Sequence, residues 1–567
     1  MKPKVTVDII LKWFIIVRVC VMQSVAERFN GLNHRVMNLK DSCIKARRTK
    51  FMIKQPKYTI GVDIGTTSTK AVLYQEDLQV VDSTYVGYAI SQTEAGMAEQ
   101  DPKAIFQAVL SVIRTLMEKD KEIKNQVDFI SFSSAMHSVI VVDEKDELLT
   151  NCIIWADNRP ADLVAQLKET TDWRALYQKT GTPVHSMTPL SKIMWLKEYF
   201  PTILQKAKKI IGIKEYVLYQ LTGEYKIDYS IASATGLFNI RELVWDKEIL
   251  ELVEIEESML SQPVDVTHRW QTIREFYAEQ MAIDSKTDLV IGASDGCLSN
   301  LGVGAMDPGE TAITIGTSGA IRMVTNQIVL DAEGRTFCYY LSKNRWVIGG
   351  AVNNGGNVMA WLTSVLYPEG SQLMDNKVET ELEQLNRLAE IVTPGADGLF
   401  FLPYLNGERA PLWESEATGS YIGLASRHTT GHMVRAAMEG VMFNLYEVWQ
   451  LIQEVGGPSK TIKVTGGFLN SPLWKQMLAD IFGRPMQQPT SFESSCLGAV
   501  LLGKVDNEIL ESSIIQHKPV LLDQKTEPEI WMQPNEQTTE NYKKIIPTYQ
   551  KLAKEMTKVR KILGELN

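Results

Sequence analysis

Runs of apolar residues separated by turn residues predict a mixed α/β fold near the start of the chain. The first run, Tyr58–Gly65, is rich in β-branched residues and ends in glycine, as buried strands often do. Asp101 and Pro102 favour the start of a helix, as N-cap and first helical residue, and an apolar stripe at helical spacing follows them. Further strands are predicted at Thr69–Tyr74, Gln79–Tyr88 and Phe129–Ala135. Three strands, a helix and a fourth strand in this order predict the beginning of a mixed sheet.

The same pattern returns in the second half of the chain. Ala312–Ala320 (AITIGTSGA) repeats the features of Gly61–Thr69 (GVDIGTTST): a β-branched strand, then Gly-Thr and a further hydroxyl residue. The glycines of the two turns, Gly65 and Gly316, lie 251 residues apart. A repeat at this spacing indicates two similar domains rather than an array of short repeats.

Later segments keep the alternation of strands and helices. Strands are predicted at Leu289–Ile291, Trp346–Ile348 and Thr461–Gly467, and a long helix at Gly431–Glu454. The tail from Asn541 is predicted to be helical, with an apolar stripe that is interrupted at Pro547.

Composition and charge narrow the class of protein. The 567 residues are 44% hydrophobic and 22% charged, which is ordinary globular usage, and the net charge of −9 gives no general affinity for nucleic acid. The six cysteines are far apart in the sequence, as in a reduced cytoplasmic protein, and no metal-binding spacing is present.

Residues 1–51 differ from the rest of the chain, because they hold 11 Lys or Arg and only 3 Asp or Glu. Their apolar stretch, Val5–Met22, contains Asp8, Lys12 and Arg18, so it does not predict a membrane span. A basic, acid-poor head is also typical of a transit peptide. We predict that 1–51 is an extension outside the folded part of the chain.

The first Gly-Thr turn has the chemistry of a phosphate site. Gly65 lets the backbone approach a ligand, hydroxyl groups follow on Thr66, Thr67 and Ser68, and Lys70 adds a cation. Asp63, which lies two residues before the turn, is placed to hold Mg²⁺ through water. A plain hairpin turn is the alternative for one such turn, but two matching turns favour a nucleotide held between two domains. The sequence has neither GxxxxGK[ST] nor a GxGxxG after the first strand, so the Walker and Rossmann motifs are not indicated.

Other candidate groups follow predicted strands. Asp295 lies in GASDG, where a carboxylate can act as general base toward a hydroxyl, although an Asx turn is the simpler interpretation. Gly466, Gly467 and Asn470 form a strand-to-helix turn on which a flat base could lie. Polar residues also cluster at 136–137, 155–159 and 185–192.

Together these residues resemble the FGGY family of carbohydrate kinases over about 58–567. The most specific piece is Gly419–Glu439 (GSYIGLASRHTTGHMVRAAME), which is similar to the family's C-terminal signature. The stretches FISFSSAMHSVI, WADNR, KTGTPVHSMTPLSK, IGIKEY and WVIGGAVNNGG resemble the gluconate-kinase branch of that family. The resemblance implies two ribonuclease H-like domains of the actin-like superfamily, with ATP and sugar in the cleft between them. It implies an N-terminal sugar-binding domain over 58–301 and a C-terminal nucleotide-binding domain over 302–567.

The resemblance also implies roles for individual residues. Asp295 matches the catalytic base and Asp63 the acid near Mg²⁺. Phosphate contacts are implied for Thr66, Thr67, Ser68, Lys70, Gly316 and Thr317, and adenosine contacts for Gly356, Gly466, Gly467 and Asn470. Sugar contacts are implied for Met136, His137, Asp157, Arg159, His185, Lys192 and Asp295. Lys70 departs from the family, where several members have arginine, so a point charge replaces a bidentate fork.

The implied reaction is the ATP-dependent phosphorylation of D-gluconate to 6-phosphogluconate. Because gluconate is a linear acid, we expect a cation at its carboxylate, with Arg159 favoured over Lys192 and Lys214 for its bidentate geometry. The alternatives are another sugar kinase of this fold, such as a xylulose kinase, an actin-like ATPase without a sugar acceptor, and a binding module without catalysis. A cytoplasmic enzyme with no nucleic-acid or membrane partner, possibly a homodimer, is the overall expectation.

Overall fold

The fold is taken from a computed structural model that describes residues 57–119, 123, 126–367, 380–489, 493–504 and 530–564. The predicted extension over 1–51 lies outside these residues. From Lys57 onward the chain is one compact unit, which is built on two large sheets.

The first sheet has six strands in the spatial order β5-β6-β4-β1-β2-β3. Neighbouring pairs among β1, β2 and β3 are antiparallel, whereas β4 and β6 run parallel to β1. Strand β3 is the edge strand, and its side chains alternate between exposed and half-buried positions. In chain order the strands are β1 (Tyr58–Ile64), β2 (Ser68–Gln75), β3 (Val80–Gly87), β4 (Val127–Ser134), β5 (Arg269–Trp270) and β6 (Asp288–Ser294).

The second sheet has seven strands in the spatial order β9-β10-β8-β7-β11-β12-β13. The strands β7, β8 and β10 pair antiparallel and β11 adds parallel to β7, which repeats the arrangement of β1, β2, β3 and β4. The sequence repeat is therefore also a repeat in topology. The strands are β7 (Glu310–Ile315), β8 (Gly319–Thr325), β9 (Phe337–Ser342), β10 (Arg345–Val352), β11 (Thr461–Thr465), β12 (Met486–Gln488) and β13 (Ile530–Met532).

Helices and short strand pairs complete the described fold. In chain order the α-helices are α1 (Pro102–Glu118), α2 (Ala161–Thr170), α3 (Trp173–Thr180), α4 (Pro189–Tyr199), α5 (Pro201–Gln205), α6 (Ile213–Thr222), α7 (Tyr229–Ser233), α8 (Lys247–Val253), α9 (Glu275–Met281), α10 (Asp295–Gly302), α11 (Gly356–Leu366), α12 (Glu381–Glu390), α13 (Thr430–Gly456), α14 (Pro472–Phe482), α15 (Ser494–Gly503) and α16 (Glu536–Gly564). Short strands pair Glu99–Gln100 with Cys152–Ile153, Ile140–Val142 with Lys209–Ile211, Lys226–Asp228 with Gln262–Val264, Phe238–Asn239 with Val244–Trp245, and Phe400–Leu402 with Ser420–Ile422.

Helix α15 comes from the second half of the sequence but packs on the first sheet, against β1 and β4, and against α10. Helix α15 packs closely against these elements because glycines lie at the contacts. A Cβ atom at Gly61 would overlap the carbonyl oxygen of Cys496, and one at Gly498 would overlap that of Leu298. The first sheet and the start of α10, which both carry candidate site residues, are thus held by a helix from the far end of the chain.

Sequence patterns located several strands of both large sheets and the helices α1, α13 and α16, but they did not identify the other helices of the described fold. The strand predicted at Tyr58–Gly65 is β1, and the helix predicted from Asp101-Pro102 is α1, in which Asp101 accepts from the backbone N–H of Lys103 as N-cap. The tail is helical as predicted, but α16 begins at Glu536 rather than at Asn541, and the helix continues through Pro547. Among the described residues, no helix is long and apolar enough to cross a membrane.

Candidate active site

A cleft of about 780 Å³, measured with the part that is open to solvent, lies between the two sheets. It collects residues from the carboxyl ends of β1, β4 and β6 and from the hairpin of β7 and β8, as expected for α/β folds, in which ligands bind at such ends. The part of the chain up to residue 302 contributes Thr66, Ala135, Met136, His137, Trp155, Met187 and Asp295. The second half contributes Thr314, Ser318, Gly319, Ala320, Arg322, Phe337, Tyr339, Ala351, Arg409 and Trp413.

Asp295 is the first residue of α10 and follows β6 directly. Its Oδ1 atom accepts a hydrogen bond of 2.6 Å from the backbone N–H of Gly296. Burial raises the pKa of Asp295 above its ordinary value, while the positive charges of Arg322 and Arg409 oppose the shift. The residue is thus a half-buried carboxylate in the wall of the cleft, where a general base toward a hydroxyl would stand.

Asp63 lies in β1, directly opposite Ser133 on the neighbouring strand β4. The Ser133 hydroxyl donates a hydrogen bond of 2.6 Å to Asp63 Oδ1. Burial, together with the negative charge of Asp295, raises the pKa of Asp63 to about 6. The sheet therefore brings two acids that are far apart in the sequence close enough for their charges to repel.

The two Gly-Thr turns share a backbone arrangement. The N–H of Gly65 donates to the carbonyl of Ser68 at 3.0 Å, and the N–H of Gly316 donates to that of Ser318 at 2.9 Å. Both turns therefore connect an antiparallel pair of strands at the cleft. Thr67, Gly316 and Thr317 are exposed, as groups that contact a phosphate from solution must be.

Several side chains near the first turn have protein partners. Thr66 Oγ1 accepts a hydrogen bond of 2.9 Å from the indole N–H of Trp155, and both residues line the cleft. The Lys70 ammonium forms an ion pair of 2.8 Å with Glu493, which precedes α15. Lys70 therefore already has a carboxylate partner, and Ser68 is half-buried in the same turn.

The glycines predicted for adenosine lie against the second turn. The N–H of Gly356, at the start of α11, donates to the carbonyl of Gly316 at 2.7 Å. Gly466 has φ of 115°, and a Cβ atom there would overlap the carbonyl of Ile315 at the end of β7. Gly467 and Asn470, in the next turn, are exposed. The structure thus brings Gly316, Gly356 and Gly466 together at the carboxyl ends of the central strands β7 and β11.

On the sugar side, Met136 and His137 line the cleft. The Nδ1 atom of His137 is 2.8 Å from the carbonyl oxygen of Ala234, so Nδ1 carries the proton and donates. Burial lowers the pKa of His137 to about 3, with a further contribution from the charge of Lys192. His137 is therefore a neutral imidazole whose Nε2 atom is left as an acceptor.

Asp295 lines the cleft as well, but the remaining predicted sugar contacts, Asp157, Arg159, His185 and Lys192, are not among the residues that line it. Asp157 is fully buried, accepts from the N–H of Ala98 and pairs with Arg159 at 2.7 Å. Arg159 also pairs with Glu99 at 2.5 Å. The His185 Nε2 atom lies 3.1 Å from the hydroxyl of Ser415.

Neither lysine suggested for the substrate carboxylate has a free ammonium group. Lys192 is fully buried and donates to the carbonyls of His137 and Met187. Lys214 pairs with buried Asp228 at 2.6 Å. Since Arg159 is paired as well, the structure gives protein partners to all three cations that the sequence suggested for a carboxylate.

Two arginines in the cleft were missed by sequence reasoning. Arg322 lies in β8, two residues after Ala320, so both side chains are on one face of the strand. Arg409 donates to the carbonyl of Val352 at 3.1 Å and stacks over Trp155, with the guanidinium carbon 4.6 Å from the ring centre. The one available signal for Arg322 was a charged residue inside the otherwise apolar run GAIRMVT.

Comparison with known families gives two matches along the chain. The N-terminal domain of the FGGY family of carbohydrate kinases matches residues 58–302, and its C-terminal domain matches residues 311–506.

Curated relatives match over most of their length. A gluconokinase of Bacillus licheniformis is 45% identical over 505 residues, which are 88% of this chain and 96% of the relative. A gluconokinase of Bacillus subtilis is 47% identical over 473 residues, 82% of this chain and 92% of the relative. A xylulose kinase of Bacillus subtilis is 28% identical over 457 residues, 80% of this chain and 89% of the relative.

Solved structures have the same fold. A gluconate kinase from Lactobacillus acidophilus superposes with a TM-score of 0.80 at 36% identity and covers 88% of this chain and 98% of its own. A ligand-bound protein described as a xylulose kinase from the same organism gives the same TM-score, identity and coverage.

Proposed function

The chain belongs to the FGGY family of carbohydrate kinases, and from this premise we propose that it transfers the γ-phosphoryl group of ATP to D-gluconate, giving ADP and 6-phosphogluconate. Relatives described as gluconokinases are 45% and 47% identical to the chain, whereas the xylulose kinase named above is 28% identical. The difference in identity favours a sugar acid as acceptor.

The observation that carries this proposal is the position of Asp295. Its half-buried carboxylate lines a cleft that the two Gly-Thr turns border from opposite sheets. The proton of the 6-hydroxyl passes to Asp295 as its oxygen forms a bond to the γ-phosphorus, and the bond from that phosphorus to the ADP oxygen breaks. Sugar contacts are assigned to Met136 and His137, which line the same cleft.

Phosphoryl transfer depends mainly on positioning and on stabilising the charge of the phosphoryl group. Backbone N–H groups and hydroxyls of Thr66, Thr67 and Thr317 are assigned to the phosphates. Gly356 and Gly466 lie beside Gly316 and allow a nucleotide to approach the backbone there. Ser68, Lys70, Gly467 and Asn470 remain candidates for outer contacts with the nucleotide.

Mg²⁺ fits the acids at the cleft. Oxygen ligands suit this ion, and proteins usually hold it through one or two carboxylates together with water and phosphate oxygens. Asp63, whose charge is opposed by that of Asp295, is the residue assigned to it, because a divalent cation would relieve this repulsion. The ion would supply charge neutralisation at the phosphates.

The test is a coupled assay of ADP release with gluconate, xylulose, ribulose and glycerol, and with no sugar. The proposal expects release with gluconate at a kcat/KM well above that of the other three. ADP release at the same rate without sugar would instead favour an actin-like ATPase.

A xylulose kinase is the second candidate, because a solved structure described in that way resembles the chain as closely as the gluconate kinase does. A higher kcat/KM for xylulose than for gluconate would establish it. The division at residue 301, a cytoplasmic location and a homodimer remain expectations from the sequence.

A further inference from the structure

Three donor groups in the cleft have no partner among the described residues: the Nε atoms of Arg322 and Arg409 and the hydroxyl of Tyr339. All three atoms are buried. Buried donors are nearly always hydrogen-bonded, because leaving one unsatisfied is costly. Three of them around one cleft point to a ligand that brings acceptor oxygens to this wall.

Arg322 is the least satisfied of the three residues. Within the described parts of the chain, no hydrogen bond or ion pair involves its guanidinium group, whereas Arg409 already donates to Val352 and stacks on Trp155. The negative charge of Asp295 compensates part of the charge of Arg322, but it leaves the guanidinium donors without an acceptor among the described residues. A carboxylate is the natural bidentate partner of a guanidinium, so these open donors suit an anionic group of the ligand.

The position of Arg322 along β8 separates it from the phosphate turn. The turn at Gly316–Ser318 precedes β8, and Ala320 and then Arg322 follow on the face that lines the cleft. At about 3.3 Å per residue, Arg322 lies roughly 10 Å along β8 from Gly319, where the strand begins after the turn. In a linear sugar acid the carboxylate is at the end opposite to the phosphorylated hydroxyl. Arg322 is thus set back from the phosphate turn along the wall of the cleft.

Small residues flank Arg322 on its own strand and on the two neighbouring strands. Its neighbours across the sheet are Ala312 and Gly349, and Ala320 is also small. The guanidinium reaches the start of α10, where a Cβ atom on Gly296 would lie 2.8 Å from its Nε atom. A carbon chain that runs past Asp295 would therefore meet Arg322 on the same wall.

We infer that Arg322 binds the carboxylate of the sugar acid and so selects acids over neutral sugars. The inference rests on the proposed function. It replaces Arg159, whose guanidinium is committed to Asp157 and Glu99.

The test compares D-gluconate with D-gluconamide, which keeps the carbon chain but has no charge. Both are assayed by ADP release on the same preparations of the full-length wild type, Arg322→Met and Arg322→Lys. We expect the wild type to prefer gluconate about 100-fold in kcat/KM, since a buried charged hydrogen bond is of that order. In Arg322→Met the kcat/KM values for gluconate and gluconamide should differ by less than about threefold. Arg322→Lys should retain part of the preference for gluconate.

The ratio of the two kcat/KM values does not depend on the folded fraction of a variant, because both substrates are assayed on the same sample. Arg345→Lys is the matched control, since Arg345 is buried in the neighbouring strand β10, outside the residues that line the cleft, and donates to the carbonyl of Met306. It should keep the wild-type preference.

Two results would overturn the inference: an Arg322→Met variant that still prefers gluconate as the wild type does, or a wild type that phosphorylates both compounds equally well. A raised KM for ATP with the preference retained would assign Arg322 to a phosphate instead. A wild type without gluconate activity would refute the proposed function, and the wild-type assay alone shows this before any variant is made.

Discussion

The ammonium group of Lys192 donates a hydrogen bond of 2.5 Å to the carbonyl oxygen of His137, which lies 55 residues earlier in the chain. A second bond, of 2.8 Å, goes to the carbonyl of Met187. His137 has φ of 70°, in the left-handed region that few residues other than glycine adopt. Lys192 thus acts as a positioning residue that fixes two backbone segments at the wall of the cleft.

Replacing Lys192 by methionine should change how stability depends on pH. Burial lowers the pKa of Lys192 from 10.5 to about 7. Between these values the unfolded chain binds a proton that the folded chain does not, so this group raises stability with pH by at most about 1.4 kcal/mol per unit. Below pH 7 the slope disappears. The variant lacks this slope, so its melting temperature relative to the wild type should fall as pH rises from 6.5 to 9.

The control for that experiment is Lys197→Met, on the same helix α4, since Lys197 is exposed and pairs with exposed Glu254. It should show no such trend. A difference for Lys192→Met that is the same at both pH values would show that the lysine is charged in the folded protein.

Replacing Asp295 by asparagine should remove the general base but keep the shape of the cleft. We expect kcat to fall by about 100- to 10,000-fold while gluconate still binds, as followed by tryptophan fluorescence. Asp288→Asn, at the opposite end of strand β6, is the matched control and should retain turnover. Turnover near that of the wild type in Asp295→Asn would remove Asp295 from the mechanism.

The pH dependence of the wild type follows from the same carboxylate. Asp295 must be ionised to accept a proton, and burial raises its pKa above the ordinary 3.8. Activity should therefore fall with decreasing pH through a value above 3.8. His137, whose pKa is lowered to about 3, should add no limb near 6.5. A profile of kcat/KM from pH 4 to 9 measures the acidic fall that is assigned to Asp295 and shows whether His137 adds a limb. A limb near pH 6.5 that disappears in His137→Asn would contradict the assignment of a neutral imidazole.

Local patterns were enough to find Asp63 and Asp295, because each follows or lies in a short apolar strand beside glycines. They could not find Arg322. In sequence it is one charge in an apolar strand, and only the packing of β8 beside the cleft exposes it to a ligand.

Arg159 shows the opposite failure. Its chemistry suits a carboxylate, but the pairing of Glu99–Gln100 with Cys152–Ile153 brings Glu99 to it from 60 residues away. A pairing of two-residue strands gives almost no signal in a sequence, so the sequence did not reveal Glu99 as a competing partner of Arg159.

Replacing Asp63 by asparagine should weaken the binding of Mg²⁺. Loss of a carboxylate that interacts with the ion should raise the Mg²⁺ concentration for half-maximal activity by about 10- to 100-fold. Asp128→Asn is the control, since Asp128 is exposed and pairs with Lys57. An unchanged Mg²⁺ dependence in Asp63→Asn would place the ion elsewhere.

Replacing Gly61 by alanine should test whether helix α15 needs close contact with the first sheet. The new methyl group would overlap the carbonyl oxygen of Cys496, which is backbone and cannot rotate away. We expect a loss of stability of about 1–3 kcal/mol, measured as a lower melting temperature, with activity reduced in parallel because α15 also packs on α10, which begins at Asp295. Gly87→Ala is the matched control, since its methyl group would meet only the carbonyl of Thr67 at an ordinary 3.7 Å. Equal melting temperatures for the two variants would mean that α15 is free to move away from β1.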